Sequence, residues 1–380
     1  ETTLFENFWP LDRGVCYNSY LITDEKVAII DTVKFNKTEQ YLSKVKEVIG
    51  DRKVDYLIVN HMEPDHSGSM KALVAAFPDM QIVGNKKTFD FIRGFYDITD
   101  NFYEVAEGDE LDLGYHKLKF FLTPMIHWPE TMMTYDQTEK ILFSMDAFGG
   151  FGSLDGGLFD DEVNVEFYED EIRRYYSNIV AKYSPIVQRA LGKLGALDIN
   201  VIAPTHGPIW RTSPKTIVDY YDKWSRYEAE EGVVIVYGTM YGNTAKMADY
   251  VARIISENGV KNVRVYDASK THLSYILSDI WRFKGVILGS CAYNMNIFPA
   301  MELVLSKLEH TGLKNRYLGV FGNKSWSGGG VSAIDAFAEK VKWERIGSSI
   351  EATYTPKEDE FKALVKLGKE MAQRVKDNPL

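Results

Sequence analysis

The sequence predicts an α/β protein of two domains, the second of them a doubly wound, five-stranded parallel sheet. Three observations predict it. The chain has 380 residues at 45% hydrophobic composition, ample for two cores. Residues 1–228 interleave apolar strands with helical segments. From residue 233 the alternation becomes regular, with five strand-helix units in about 150 residues, the pattern of a parallel sheet that takes a ligand at the carboxyl ends of its strands.

In the first part the strong strand candidates are "YLIVN" (56–60), "LKFFLTP" (118–124), "KILFSMD" (140–146) and "INVIAPT" (199–205), and each runs into a loop bearing His or Asp. The polar stretch "EAEEG" (228–232) ends in Gly and reads as a linker, which puts the domains at 1–230 and 231–380. The second domain opens with "VVIVY" (233–237), followed by "NVRVYD" (262–267), "GVILGS" (285–290), "YLGVFG" (317–322) and "RIGSSIE" (345–351) as strands. The short "SGGG" (327–330) reads as a loop opening a helix.

Charge and cysteine content narrow the function. Residues 1–230 carry 24 Lys+Arg against 38 Asp+Glu, a balance of −14, whereas 231–380 carry 20 against 16, or +4. An acidic first domain argues against nucleic acid as a partner. No run of about 18 apolar residues is present, and "ETTLFENFWP" lacks the pattern of a secretory signal, so the expectation is a cytoplasmic protein with no membrane partner. The two cysteines, Cys16 and Cys291, form no CxxC pair, which leaves neither a disulfide framework nor a thiolate metal site and suits a reducing compartment.

The chemistry concentrates at the strand ends. "NHMEPDHSG" (60–68) sets His61, Glu63, Asp65 and His66 on one irregular turn. His127 in "PMIHWPE", Asp146 in "LFSMDAFG" and His206 in "PTHGPIW" each follow another apolar strand and would emerge at the same sheet edge. Four of the chain's seven histidines therefore stand at strand ends. Four imidazoles and three carboxylates exceed the needs of one tetrahedral ion but suit two ions sharing a carboxylate, with Asp146 the natural bridge. The anionic donors favour a metal that cycles between divalent and trivalent states: a His in place of Glu63 would make a softer site suited to zinc, whereas hard oxygen ligands beside imidazole favour iron, with zinc and manganese also accepting carboxylates.

In the second domain "YGTMYGNTAKMA" (237–248) follows the first strand and opens a helix. Thr239, Asn243 and Thr244, with main-chain N–H groups of Met240, Tyr241 and Gly242, can wrap a terminal phosphate. Neither a Walker lysine nor GxGxxG is present, which argues against a nucleoside triphosphate or dinucleotide. "SCAYNMNIFP" (290–299) and "GNKSWSGGG" (322–330) reach the same edge: Tyr293 and Trp326 can stack on a flat ring, while Ser290, Ala292, Asn294, Asn323 and Ser325 can meet its edge. Together they describe a pocket for FMN.

These motifs resemble the flavodiiron proteins, also called A-type flavoproteins, over nearly the whole chain. The first part looks like a metallo-β-lactamase αββα sandwich, whose hydrolytic members carry HxHxDH; here the pattern is His61-x-Glu63-x-Asp65-His66, and "HWPE", "DAFG" and "THGPIWR" follow in order. The resemblance implies one iron on His61, Glu63 and His127, a second on Asp65 and His206, and Asp146 between them. His66 corresponds to a histidine that in some members binds the second iron and in others yields to water. The second part resembles short-chain flavodoxins. The family implies reduction of O2 to water or of NO to N2O by electrons passed from FMN, in head-to-tail homodimers or dimers of dimers. No paired CxxC motifs follow the flavodoxin part, so the expected donor is a separate rubredoxin, with a deazaflavin coenzyme or a flavin reductase as alternatives.

Two positions depart from the family pattern. Lys324-Ser325 stands where many members have Tyr-Gly or a similar pair before the tryptophan, and Cys16 replaces an expected Ser or Thr. Tyr17, Trp128 and Trp210 are candidates for the substrate approach, with core packing an equal alternative. The rival function is a binuclear zinc hydrolase with an attached flavodoxin domain, and a non-enzymatic electron carrier or sensor is a third.

Overall fold

The computed structural model describes residues 4–377. Two compact units part at Asp222–Lys223, inside the helix Pro214–Ser225, eight residues before the expected boundary.

The first unit contains two five-stranded sheets. One runs in the order Tyr20–Thr23, Val27–Ile30, Tyr56–Ile58, Gln81–Gly84, Phe102–Glu104, and the other in the order Val201–Pro204, Ile141–Met145, Met132–Asp136, Lys117–Leu122, Glu110–Asp112. Their inner faces meet in one core: Ile30, Ile58 and Val83 from the first sheet pack with Leu118, Phe120, Met132 and Phe143 from the second. Alternate residues of the first sheet, Ile29, Leu57 and Ile82, face outward onto Val45 and Ile49 of helix Thr38–Ile49 and onto Phe89 and Ile92 of helix Lys86–Tyr96. The period-2 alternation of strand side chains thus feeds two apolar layers at once, which is why these strands are apolar throughout. On the second sheet, helix Ser184–Leu194 reaches back through Lys193, whose Nζ donates to the Leu122 carbonyl at 2.8 Å. The layers are those of the αββα sandwich expected from the family resemblance.

The second unit is a parallel sheet ordered Val263–Asp267, Glu230–Gly238, Phe283–Tyr293, Tyr317–Lys324, with Glu344–Arg345 and Ile350–Thr353 both pairing with Tyr317–Lys324. The strand order reverses around Glu230–Gly238, creating the crevice that doubly wound sheets use for ligands. Two expectations need correction. "RIGSSIE" is two short strands, because Gly347, at φ +66°, turns the chain between them. "EAEEG" is a linker only at Glu228 and Ala229: Glu230 already opens the first strand, where its carboxylate meets Lys223 at 2.7 Å and Arg282 at 2.8 Å.

Among the described residues, no helix is long and apolar enough to cross a membrane.

Candidate metal centre and flavin cavity

The strand ends deliver the seven candidate ligands to one place. His61 follows Tyr56–Ile58, His127 follows Lys117–Leu122, Asp146 follows Ile141–Met145 and His206 follows Val201–Pro204. Pro64 opens the short helix Pro64–Ser67, which turns Asp65 and His66 inward. The potential ligand atoms gather in two groups, His61, Glu63, His127 and Asp146 in one and Asp65, His66 and His206 in the other, within 4.8 Å inside each group.

Asp146 faces both. Its Oδ2 lies 3.1 Å from His127 Nε2 and 3.3 Å from His61 Nε2, while its Oδ1 lies 2.9 Å from His66 Nε2 and 3.5 Å from His206 Nε2. Glu63 Oε2 is 3.0 Å from His127 Nε2, and the two Asp65 oxygens stand 3.3 Å from His66 and His206.

A test of fit to metal comes from the polar atoms. His61 Nε2, both Asp65 oxygens, both ring nitrogens of His66 and His206 Nε2 are buried without a hydrogen bond. Buried polar atoms are almost always paired. Orphan lone pairs converging from both groups are what two cations would satisfy, and the residues present fit them.

The electrostatics agree. Burial by itself would push the imidazoles down, but the carboxylates facing them more than offset it: His61 is held well above its ordinary value, and His66 and His127 rise to about 9. Asp146 is moved the other way. Burial would raise it, yet His66 and His61 hold it well below the usual carboxylate range. In the metal-free chain, protons on the imidazoles do the work that cations would do.

Several supporting residues escaped the sequence reading. Glu130, the last residue of "HWPE", is fully buried; its Oε1 accepts from His61 Nδ1 at 2.8 Å and from the Met62 N–H at 2.9 Å. This fixes the tautomer that leaves His61 Nε2 free for metal. The Cys16 carbonyl accepts from His206 Nδ1 at 2.8 Å and does the same there, while its Sγ takes the Gly207 N–H at 3.0 Å. Asp31 accepts from the Asn60 and His61 N–H groups at 2.8 and 3.2 Å, and burial lifts its carboxyl to about 6. The N-terminal hairpin, Leu4–Phe5 with Trp9–Pro10, sets the Phe5 ring edge-on to His206 at 5.4 Å; burial and the charge of Glu63 lift the turn residue Glu6 to about 6. Tyr175, ending helix Glu166–Tyr175 where the chain passes into a wider π-helical turn, is buried against His206 at 5.5 Å with an unpartnered hydroxyl. Only the fold brings these residues to the cluster, and no spacing rule would have found them.

Of the aromatic candidates, Tyr17 stands edge-on to His206 at 5.5 Å and Trp128 edge-on to His61 at 5.4 Å. Trp210 is buried, with its main chain paired to Ile202.

In the second unit a cavity of about 440 Å³ is lined by Thr239, Met240, Tyr241, Asn243 and Thr244 of the first loop, Ala292, Tyr293 and Asn294 of the second, and Asn323, Ser325 and Trp326 of the third. Gly242, at φ +91°, turns the chain into helix Asn243–Glu257, whose first turn has no side-chain cap. Its leading N–H groups are thereby left for an anion, and the hydroxyls and amides around them fit a phosphate. Tyr293 and Trp326, 40% and 87% exposed, are free to meet a ring. Gly242 and Ser290 are the exceptions: neither lines the cavity, the Gly242 N–H already donating to Thr239 Oγ1 at 3.0 Å and the buried Ser290 hydroxyl donating to the Cys291 carbonyl while accepting from the Phe298 N–H. Cys291, Met295, Lys324 and Ser327 complete the wall.

A metallo-β-lactamase-like unit with a two-metal cluster, joined to a flavodoxin-like unit with a flavin-sized cavity, defines a flavin- and metal-dependent oxidoreductase. The family model described as ODP family beta lactamase matches residues 15–207, and that of flavodoxin matches residues 235–368. Anaerobic nitric oxide reductase flavorubredoxin of Escherichia coli K12 is 34% identical over 367 residues, covering 95% of this chain and 76% of its own length. Rubredoxin oxygen:oxidoreductase from Desulfovibrio gigas superposes with a TM-score of 0.93 at 29% identity, covering 98% of this chain and 94% of that one. The flavodiiron protein of Giardia intestinalis gives 0.93 at 26% identity, covering 98% and 92%. The chain belongs to the flavodiiron protein family. Its cofactors are FMN and two irons, and the zinc-hydrolase alternative is set aside.

Proposed function

We propose that this chain reduces O2 to water, NO to N2O, or both, at the cluster of His61, Glu63, Asp65, His66, His127, Asp146 and His206, with electrons passed from FMN held at 239–244, 292–294 and 323–326. The observation that carries the reading is Asp146, with each oxygen aimed at a different histidine pair. The names of the relatives supply the two substrates.

When bound, the irons and FMN supply the electrons and the coordination position for a diatomic gas. The protein's own residues arrange the rest. Glu130 and the Cys16 carbonyl orient His61 and His206 through their Nδ1 atoms, leaving the Nε2 atoms as those that would hold the ions. Glu63, Asp65 and Asp146 contribute three negative charges, which favour the higher oxidation state and so the release of electrons to substrate. Phe5, Phe151 and Tyr175 pack on or beside His206 and keep water from that side. Both reductions consume protons, four for each O2 and two for each pair of NO. Glu6 and Asp31 are both lifted to about 6, and Glu6, beside Glu63, is the one placed to exchange a proton at the cluster.

The same proposal includes a cytoplasmic location, a separate rubredoxin as donor in preference to a deazaflavin coenzyme or a flavin reductase, and a head-to-tail homodimer. The name of the Desulfovibrio relative supports the donor. The acidic first part and mildly basic second part suit chains that alternate in this way.

The test is stopped-flow spectroscopy on protein of known iron and FMN content, reduced anaerobically and mixed with O2 or with NO. Rapid reoxidation with water or N2O as product is expected. Stoichiometric zinc and inertness to both gases would overturn the reading.

A further inference from the structure

The flavin cavity contains one charged side chain among its lining residues, Lys324. With Ser325 and Cys16, it is also one of the three residues at which the chain departs from the family pattern. Lys324 closes the strand Tyr317–Lys324, and its Nζ lies 2.5 Å from Oε2 of Glu351 on the adjoining strand Ile350–Thr353. The strands pair in parallel with Gly322 opposite Glu351 and Lys324 opposite Thr353, so the sheet itself sets the spacing of the ion pair. The loop lies over it: a Cβ on Gly328 would stand 3.3 Å from Glu351 Oε1 and 3.7 Å from Lys324 Cδ. Its side chains are 34% and 23% exposed, partly withdrawn from solvent but not sealed from it.

Resting on the FMN reading above, we propose that the Lys324–Glu351 pair sets the potential of the flavin, Lys324 as counter-charge to the reduced ring and Glu351 as its tether and opponent. The reasoning is electrostatic. Oxidised isoalloxazine is neutral, whereas the two-electron reduced ring is an anion at neutral pH. The phosphate is charged in both states and is met by hydroxyls and N–H groups, so it discriminates little between them. A cation in the wall therefore favours the reduced form selectively, and an anion behind that cation weakens the preference. At cavity-scale separations and the screening of a partly exposed site, one charge is worth a factor of about 3–10 between redox states.

The experiment uses the full chain loaded with FMN and compares Lys324→Gln, Lys324→Arg, Glu351→Gln and the Lys324→Gln/Glu351→Gln double variant by spectroelectrochemical titration at neutral pH. FMN affinity is measured for oxidised and reduced protein in parallel. Lys324→Gln should weaken binding of reduced relative to oxidised FMN by about 3–10-fold, a potential about 15–30 mV lower for the two-electron couple. Glu351→Gln should shift it upward, Lys324→Arg should hold the native value, and the double variant should lie between the single Gln variants. Opposite signs distinguish a charge effect from damage to the loop. Native potentials in all variants, or shifts of one sign for both Gln variants, would refute the proposal while leaving the FMN site standing. Failure of the native chain to bind FMN would instead overturn the reading on which it rests.

Discussion

Replacing Glu130 separates two things that the residue does for His61. Its Oε1 takes both hydrogen bonds, from His61 Nδ1 and the Met62 N–H, and its Oε2 takes none. Glu130→Gln can keep both bonds on its amide oxygen. It loses the negative charge and places an NH2 group where no acceptor waits, which costs about 1–3 kcal/mol. Glu130→Ala orphans both donors and opens a cavity, for about 3–5 kcal/mol. Loss of a partner behind a metal-binding histidine typically weakens metal affinity ~10–100-fold, or about 1.4–2.7 kcal/mol. Fe(II) affinity would be measured anaerobically against a chelator of known strength, with iron per chain and thermal unfolding of the metal-free protein alongside. Glu130→Gln should bind iron more weakly and unfold with a loss of about 1–3 kcal/mol, and Glu130→Ala should lose more on both counts, about 3–5 kcal/mol in stability. Native iron affinity in both variants would refute the assigned role.

Metal uptake should release protons. With His66 and His127 lifted to about 9 and His61 raised as well, the metal-free cluster is protonated at neutral pH, and Fe(II) must displace those protons. Release measured with a pH indicator should exceed one proton per chain at about pH 7 and decline as pH rises through about 9; a constant value across that range would contradict it. For stability the sign is opposite in the metal-free chain. Raised imidazoles stabilise it fully below about pH 6.5, and that contribution disappears as pH rises through about 9, so its melting temperature should fall over this window. Tyr175→Phe removes a buried hydroxyl without a partner and should leave the metal-free melting temperature unchanged or higher; a loss of more than about 2 kcal/mol would reveal an unseen bond. Gly329→Ala should lower FMN affinity more than ~10-fold with the fold intact by circular dichroism, because at φ +130° a Cβ would lie 2.5 Å from the Met295 carbonyl; native affinity would exclude loop 325–330 from the flavin site.

The framework was legible wherever a buried apolar strand ended in a polar ligand residue. "YLIVN", "KILFSMD" and "INVIAPT" contain strands 56–58, 141–145 and 201–204, and their trailing His61, Asp146 and His206 converge. Burial on both faces makes such strands uniformly apolar, and a His or Asp then stands out. Glu130 was hidden for the opposite reason: it lies 69 residues from His61, and nothing local marks a carboxylate that the fold will bury. Ser290 misled because strand-end position does not specify which way a hydroxyl turns; here it closes on the chain's own Cys291 and Phe298. In "RIGSSIE" the flanking apolar residues suggest one strand, but the Gly-Ser-Ser core is turn chemistry and divides it into two.

The divided allegiance of Asp146 has a consequence for how the site fills. Because its two oxygens face different histidine pairs, a first ion bound there would orient the carboxylate for a second and withdraw charge that the second would otherwise use. Preorganisation and competition act in opposite senses through a single side chain, and their difference is a coupling free energy that each ion feels equally. Where preorganisation exceeds competition, chains carrying one iron are scarce and the population divides between empty and full. A cell short of iron would then hold fewer complete centres rather than many half-built ones.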